Sequence, residues 1–113
     1  MKNILLILFL YLNLYSSEFS KTLFEGNCLA CHNIKTELSA PSVIEFKSAY
    51  MDLFPKKTDF IDFMSMWVYE PDEHTAFMPD AIRRYGLMPE LGYDLEMLRD
   101  IAEYIYDTDF SNQ

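Results

Sequence analysis

The chain has 113 residues, half of them apolar, and carries nine basic and eighteen acidic side chains. Its net charge of −9 argues against nucleic-acid binding, because that function needs a positively charged surface. The acidic balance favours either plain solubility or a protein partner with a basic docking face. A chain of this length forms one small domain with a marginal core of its own.

The first seventeen residues have the composition of an export signal. Lys2 supplies a positive charge, Ile4 to Leu14 are almost wholly apolar, and Ser16 and Ser17 are small. Because the apolar run is short for a membrane span, we interpret residues 1–17 as a signal peptide cleaved near Ser17. A retained anchor is the alternative. Residues 18–113 then form the exported domain, with a net charge of −10 because Lys2 is the only charged residue removed.

The stretch Cys28-Leu29-Ala30-Cys31-His32 carries the strongest functional signal. Two cysteines separated by two residues and followed by histidine are typical of covalent haem attachment, and the histidine becomes the proximal iron ligand. A thioredoxin-like pair would need a βαβ pattern, which the sequence lacks. Zinc would need four ligands, and the fourth candidate, His74, is far away in sequence. The motif therefore predicts one covalently bound haem c, attached in the periplasm.

Helical patterns dominate the rest of the chain. Ser20 is positioned to cap a first helix that runs into the motif, and Ser42 a second helix that Pro55 ends. A third helix starts at Thr58 or Asp59 and stops before Pro71, with apolar residues around most of its cylinder, as expected of a helix buried against a cofactor. The sequence therefore predicts an all-α domain.

Two Met-Pro pairs follow, ten residues apart. Met78-Pro79 begins a short helix over residues 80–85 that Gly86 terminates, whereas Met88-Pro89 lies in a loop bounded by glycines. Asp94 caps a C-terminal amphipathic helix with one apolar stripe.

Together these features resemble the small class I cytochromes c. The shared features are the early haem motif, a proline shortly after it (Pro41), a Met-Pro loop (Met88-Pro89), and a closing amphipathic helix that carries Tyr104. The resemblance implies a small cytochrome c-like fold of about four to five helices around one covalently bound haem, with the first and last helices crossing.

The resemblance also implies the roles of five residues. Cys28 and Cys31 would form the thioether bonds, and His32 would be the proximal iron ligand. The carbonyl of Pro41 would accept a hydrogen bond from the other ring nitrogen of His32. Met88 would be the sixth ligand, on the far side of the iron.

Several other residues are weaker candidates. Met78 is the second candidate for the sixth ligand, and a space-filling role is its default. His74 lies in a charged segment that predicts a solvated loop. Trp67, Tyr69, Arg83 and Arg84 could contact haem propionates, although core packing for the aromatic pair and a solvated face for the arginines are the simpler expectations.

The expected function is a periplasmic monohaem electron carrier between respiratory redox partners, with no enzymatic activity of its own. The chain would be a monomer with no membrane segment after signal cleavage. The alternatives are a haem subunit of a larger respiratory complex, and a haem enzyme or gas sensor with an open sixth position.

Overall fold

The computed structural model describes residues 1–16 and 18–113. Throughout these residues the chain forms helices and loops without a strand, which confirms the all-α prediction. The five helices, in chain order, are α1 (Lys2–Asn27), α2 (Val43–Leu53), α3 (Lys57–Tyr69), α4 (Pro79–Tyr85) and α5 (Leu95–Asp107).

Helix α1 is longer than predicted. It begins at Lys2 and passes straight through Ser20, so the prediction that Ser20 caps its start is wrong. The physical reason is that the first helix breaker is Gly26. By length and composition α1 could cross a membrane, and N-terminal signal sequences share these properties. The predicted cleavage point at Ser17 lies outside the described residues.

The C-terminal end of α1 belongs to the core. Phe24 is 1% exposed. Its ring centroid lies 5.3 Å from that of Tyr104 and 5.5 Å from that of Phe110. These contacts pack α1 against α5 and hold the end of α1, from which the cysteine motif follows directly.

Helix α2 confirms its predicted cap, because the Ser42 hydroxyl accepts a hydrogen bond from the Glu45 backbone N–H at 3.1 Å. Helix α3 starts at Lys57, one residue before the prediction. One face of α3 is buried, with Phe60 at 0% exposure, but Met66 on the other face is 61% exposed. The apolar residues around α3 therefore do not indicate burial on all sides, because its outer face has no element packed over it among the described residues.

Helices α4 and α5 agree with the sequence patterns. Gly86 ends α4 with a φ of 85°, a conformation that favours glycine. Asp94 caps α5 by accepting a hydrogen bond from the Met97 N–H at 2.8 Å. Helices α1 and α3 both pack against α5. The resulting core consists of Phe24, Val43, Tyr50, Phe60, Ile61, Met64, Ile101, Ala102, Ile105 and Phe110.

Candidate functional site

A cavity of about 360 Å³ lies between the helical core and two loops, residues 28–42 and 86–94. Its volume falls within the range of small-molecule and cofactor sites, roughly 300–1,000 Å³. Its walls are mostly apolar. All five predicted site residues line it, namely Cys28, Cys31, His32, Pro41 and Met88. Residues 60 positions apart in the chain thus share one site.

The cysteine motif forms a tight turn directly after α1. The backbone N–H of His32 donates to the carbonyl of Cys28 at 2.9 Å, and that of Cys31 donates to the same carbonyl at 3.3 Å. These two bonds hold both thiols and the imidazole on one turn. Both cysteines are free thiols.

The imidazole of His32 has a defined tautomer. Its Nδ1 lies 2.8 Å from the carbonyl oxygen of Pro41. Because a carbonyl oxygen only accepts, Nδ1 carries the proton and, in the neutral ring, Nε2 keeps its lone pair. Burial lowers the pKa of His32 from its ordinary value of 6.5, and the hydrogen bond to Pro41 partly opposes this effect. The ring is therefore neutral at pH 7, with Nε2 able to bind a metal ion.

The ring of His32 is also held from the side. The Phe46 ring meets it edge to face, with ring centroids 5.1 Å apart and an interplanar angle of 79°. Phe46 lies on α2, five residues after Pro41. The histidine is thus oriented by one hydrogen bond and one aromatic contact, which limits its rotation.

The thiol of Cys28 is not set up as a nucleophile. Burial, with a smaller effect from neighbouring Cys31, raises the pKa of Cys28 to about 11. Redox-active Cys-x-x-Cys pairs have a cysteine with a pKa lowered to about 3.5–7.5, because the thiolate is the reactive form. The environment of Cys28 is therefore the opposite of that of a thiol oxidoreductase.

Both loop methionines reach the cavity. Met78 precedes α4 as its N-cap residue and packs against the helical core. Met88 lies in the loop between Gly86 and Gly92, whose positive φ values of 85° and 74° bend the chain around it. The structure brings both thioethers to the wall of the same cavity, so lining the cavity does not distinguish them.

The weaker candidates have different positions. His74 is exposed beside Glu73, as expected for a solvated loop histidine. The Trp67 indole N–H donates to the backbone carbonyl of Asp72 at 3.0 Å, and the ring also lines the cavity. Tyr69 is 48% exposed, so its predicted core role is wrong.

Arg83 and Arg84 differ from each other. Arg83 pairs with Asp80 on its own helix, whereas Arg84 reaches two carboxylates from other parts of the chain. Sequence reasoning missed the partners of Arg84, as well as three aromatic residues of the cavity wall. These aromatic residues are Phe46, Tyr50 and Phe77. The helical spacing of Phe46 and Tyr50 indicated burial in general, whereas Phe77 lies outside the helices and its position immediately before Met78 was the one local signal for it.

The side chains of this cavity fit a c-type haem. Two thiols and an imidazole with a free Nε2 lie on one turn, the thioethers of Met78 and Met88 line the same cavity, and the walls are mostly apolar. Comparisons with protein-family models, with curated proteins and with solved structures found no match for this chain.

Proposed function

We propose that the chain is a periplasmic monohaem c-type cytochrome of the class I kind, which carries single electrons between respiratory redox partners. Cys28 and Cys31 would attach one haem c, with His32 and Met88 as its iron ligands. It acts as an electron-transfer protein and not as an enzyme. Its partners are redox proteins with a basic docking face, and it works as a monomer.

One observation carries this proposal. Because His32 Nδ1 donates a hydrogen bond to the Pro41 carbonyl, Nε2 of the neutral ring keeps a free lone pair. This ring lies on the same turn as both cysteines. Ligating histidines in metalloproteins regularly donate their other ring N–H to a carbonyl, which fixes the ring and increases its basicity. A half-buried histidine held in this way, beside two free thiols, has the chemistry that haem attachment requires.

When bound, haem supplies an iron that gains and loses one electron at a time. The chain's own residues would set the conditions for that exchange. His32 and a methionine would hold the iron in both oxidation states, which would limit rearrangement during transfer. Apolar walls such as Phe46, Ile101 and Ile105 exclude water and disfavour extra positive charge, which raises the reduction potential. No proton needs to move.

The acidic surface supports transient docking. The net charge of −10 on residues 18–113 attracts a partner with a basic face and accelerates encounter at low ionic strength. Redox encounters of this type use small interfaces, typically below about 1,200 Å². Fast exchange of partners follows from a weak interface.

A second candidate is a haem subunit anchored in a larger respiratory complex. The observation that favours it is the continuity of α1, which runs from an exposed apolar segment into the core at Phe24 without interruption. If the segment before residue 18 is retained, membrane fractions will contain the full-length protein. Fractionation with intact-mass measurement separates this candidate from the soluble carrier.

The ligation is tested by the visible spectrum of the purified, oxidised protein together with Met88→Ala and Met78→Ala. The weak red band of sulfur-to-ferric-iron coordination is expected in the wild type and in Met78→Ala, and its loss is expected in Met88→Ala. Loss in Met78→Ala alone would transfer the ligand role to Met78. Absence of the band in the wild type, with ready binding of carbon monoxide to reduced iron, would favour an enzyme or sensor with an open position.

A further inference from the structure

Four polar side chains join the loop that carries Pro41 to helices α2 and α4. Arg84 donates from Nη1 to Glu37 Oε2 at 3.2 Å and from Nη2 to Glu45 Oε1. The Tyr85 hydroxyl donates to the same Glu37 oxygen at 2.7 Å. We name Glu37, Glu45, Arg84 and Tyr85 the Arg84 clamp.

The two carboxylates of the clamp stand on either side of Pro41. Glu37 precedes it by four residues, in the loop, and Glu45 follows it by four, in the first turn of α2. Arg84 contacts both, so it spans the segment whose carbonyl holds His32. A single guanidinium suits this task, because its planar fork can serve two carboxylates at once.

Other contacts hold the beginning of the same loop. Val43 N–H donates to the Asn33 carbonyl at 2.8 Å, and Ile44 N–H donates to the Ile34 carbonyl at 3.1 Å. The residues between these bonds and Pro41 form bends without regular secondary structure. The Arg84 clamp is therefore the side-chain tie to the outer part of this loop.

We propose that Arg84 is a positioning residue for His32: by bridging Glu37 and Glu45 it keeps the Pro41 carbonyl in place to accept the His32 Nδ1 proton. The positioning role inferred for Arg84 rests on the proposed haem-binding function. The contacts of the clamp are present in the structure independently of that function. Because α4 directly follows Met78 and leads into the loop of Met88, the clamp connects the loop of Pro41 to a second segment that lines the cavity.

The Glu45 arm of the clamp is partly withdrawn from water. Oε2 of Glu45 is buried, and the whole side chain is 29% exposed. A carboxylate that is partly removed from water depends more on its cation than a fully hydrated one does. Removing Arg84 leaves this carboxylate beside Glu37 with no cation between them, so the two negative groups repel and the loop is pushed away from α2.

The test measures hydrogen exchange by NMR on the purified, reduced full-length protein. It compares the wild type with Arg84→Ala and with the matched control Arg83→Ala. Both variants remove one arginine from α4 and change the net charge equally, but Arg83 pairs only within its own helix. The probes are the His32 Nδ1 proton and the Val43 amide, with the Ile101 amide in the core as reference.

We expect exchange of the His32 and Val43 probes to accelerate by about tenfold in Arg84→Ala, because the loop opens locally. Arg83→Ala should stay within about twofold of the wild type at both probes. Exchange at Ile101 should be unchanged in both variants. Glu37→Ala removes the loop arm alone and should accelerate the same two probes by a smaller factor.

Three results would overturn the inference. The first is unchanged exchange at His32 and Val43 in Arg84→Ala. The second is that Arg83→Ala accelerates exchange at these probes as much as Arg84→Ala does. The third is that Arg84→Ala accelerates exchange at Ile101 as much as at His32 and Val43, which would indicate a general loss of stability. The proposed function fails separately, if the wild-type protein binds no haem. The Val43 amide still reports on the clamp in that case.

Discussion

The two sides of this molecule are held together in different ways. On one side, α1, α3 and α5 bury apolar side chains against one another, and Phe60 and Phe24 are 0% and 1% exposed. On the other side, loops and the short helix α4 surround a cavity of about 360 Å³. Close-packed cores have few voids larger than a water molecule. The cavity side therefore depends on polar ties and on whatever apolar group the cavity binds, whereas the core side is stable by its own packing.

The largest expected effect is on the core side. Phe60 lies with its ring centroid 5.1 Å from that of Tyr106 and 6.0 Å from that of Tyr50. Phe60→Ala should lower the free energy of unfolding by about 3–5 kcal/mol, since it removes a fully buried ring and leaves a cavity. Urea denaturation measures the change.

The control for that variant lies on the same helix. Met66→Ala removes an apolar side chain that is 61% exposed, so its effect should stay within about 0.5 kcal/mol. Equal losses in the two variants would mean that the outer face of α3 is packed as tightly as its inner face, which would remove the contrast between the two sides.

The second prediction concerns the cavity side. Cys28→Ala/Cys31→Ala removes both attachment points. If one haem c is bound there, the variant loses the group that fills the cavity. Exchange of the Gly86 amide, which donates to the Ile82 carbonyl at 2.8 Å, should accelerate by about tenfold or more. The Phe60 amide, which donates to the Lys56 carbonyl at 2.9 Å on the core side, should change much less. Equal acceleration at both sites would show that the two sides unfold as one unit.

A smaller effect is expected at the boundary between the two sides. Ser42 caps α2 and is 6% exposed. Ser42→Ala should cost about 1 kcal/mol, because the Glu45 N–H loses its acceptor. Ser48→Ala on the exposed face of the same helix is the control and should stay within about 0.5 kcal/mol. Thermal unfolding compares them, and equal midpoints would contradict the capping role.

The smallest effect is a pKa shift in the Arg84 clamp. The hydrogen bond from the Tyr85 hydroxyl is the main cause that lowers the pKa of Glu37 from 4.5, and Glu45 and Arg84 also act on it. A lowered carboxyl pKa stabilises the fold above pH 4.5, and this contribution is lost as the pH falls through the folded-state value. Tyr85→Phe should raise the pKa of Glu37 towards 4.5, measured by NMR titration of its carboxyl carbon. An unchanged pKa would show that Tyr85 does not hold Glu37 in solution.

Local signals in the sequence predicted most of the helices. Ser42, Gly86 and Asp94 are helix-capping or terminating residues, and each acts within four residues of chain, which is why the boundaries of α2, α4 and α5 agree with the structure. The start of α1 could not be predicted from Ser20. A serine does not mark the start of a helix when the residues before it also favour a helix.

The residues themselves predict the candidate site only where its chemistry is local, and Pro41 and Met88 were assigned by the family resemblance. Cys28, Cys31 and His32 are adjacent in the chain and carry their own signature. The Arg84 clamp was not predicted, because Glu37 and Arg84 are 47 residues apart and their pairing depends on how α4 docks. The exposed outer face of α3 was missed for a similar reason, since periodicity does not show which apolar residues find a partner.

The most direct test of the central claim is the intact mass of the purified wild-type protein after unfolding, measured together with its haem absorbance. The account predicts one species that is heavier than the polypeptide by a single haem and keeps its colour when unfolded, and a Cys28→Ala/Cys31→Ala variant with the mass of the polypeptide alone. A wild-type protein with the polypeptide mass and two titratable thiols would contradict the account.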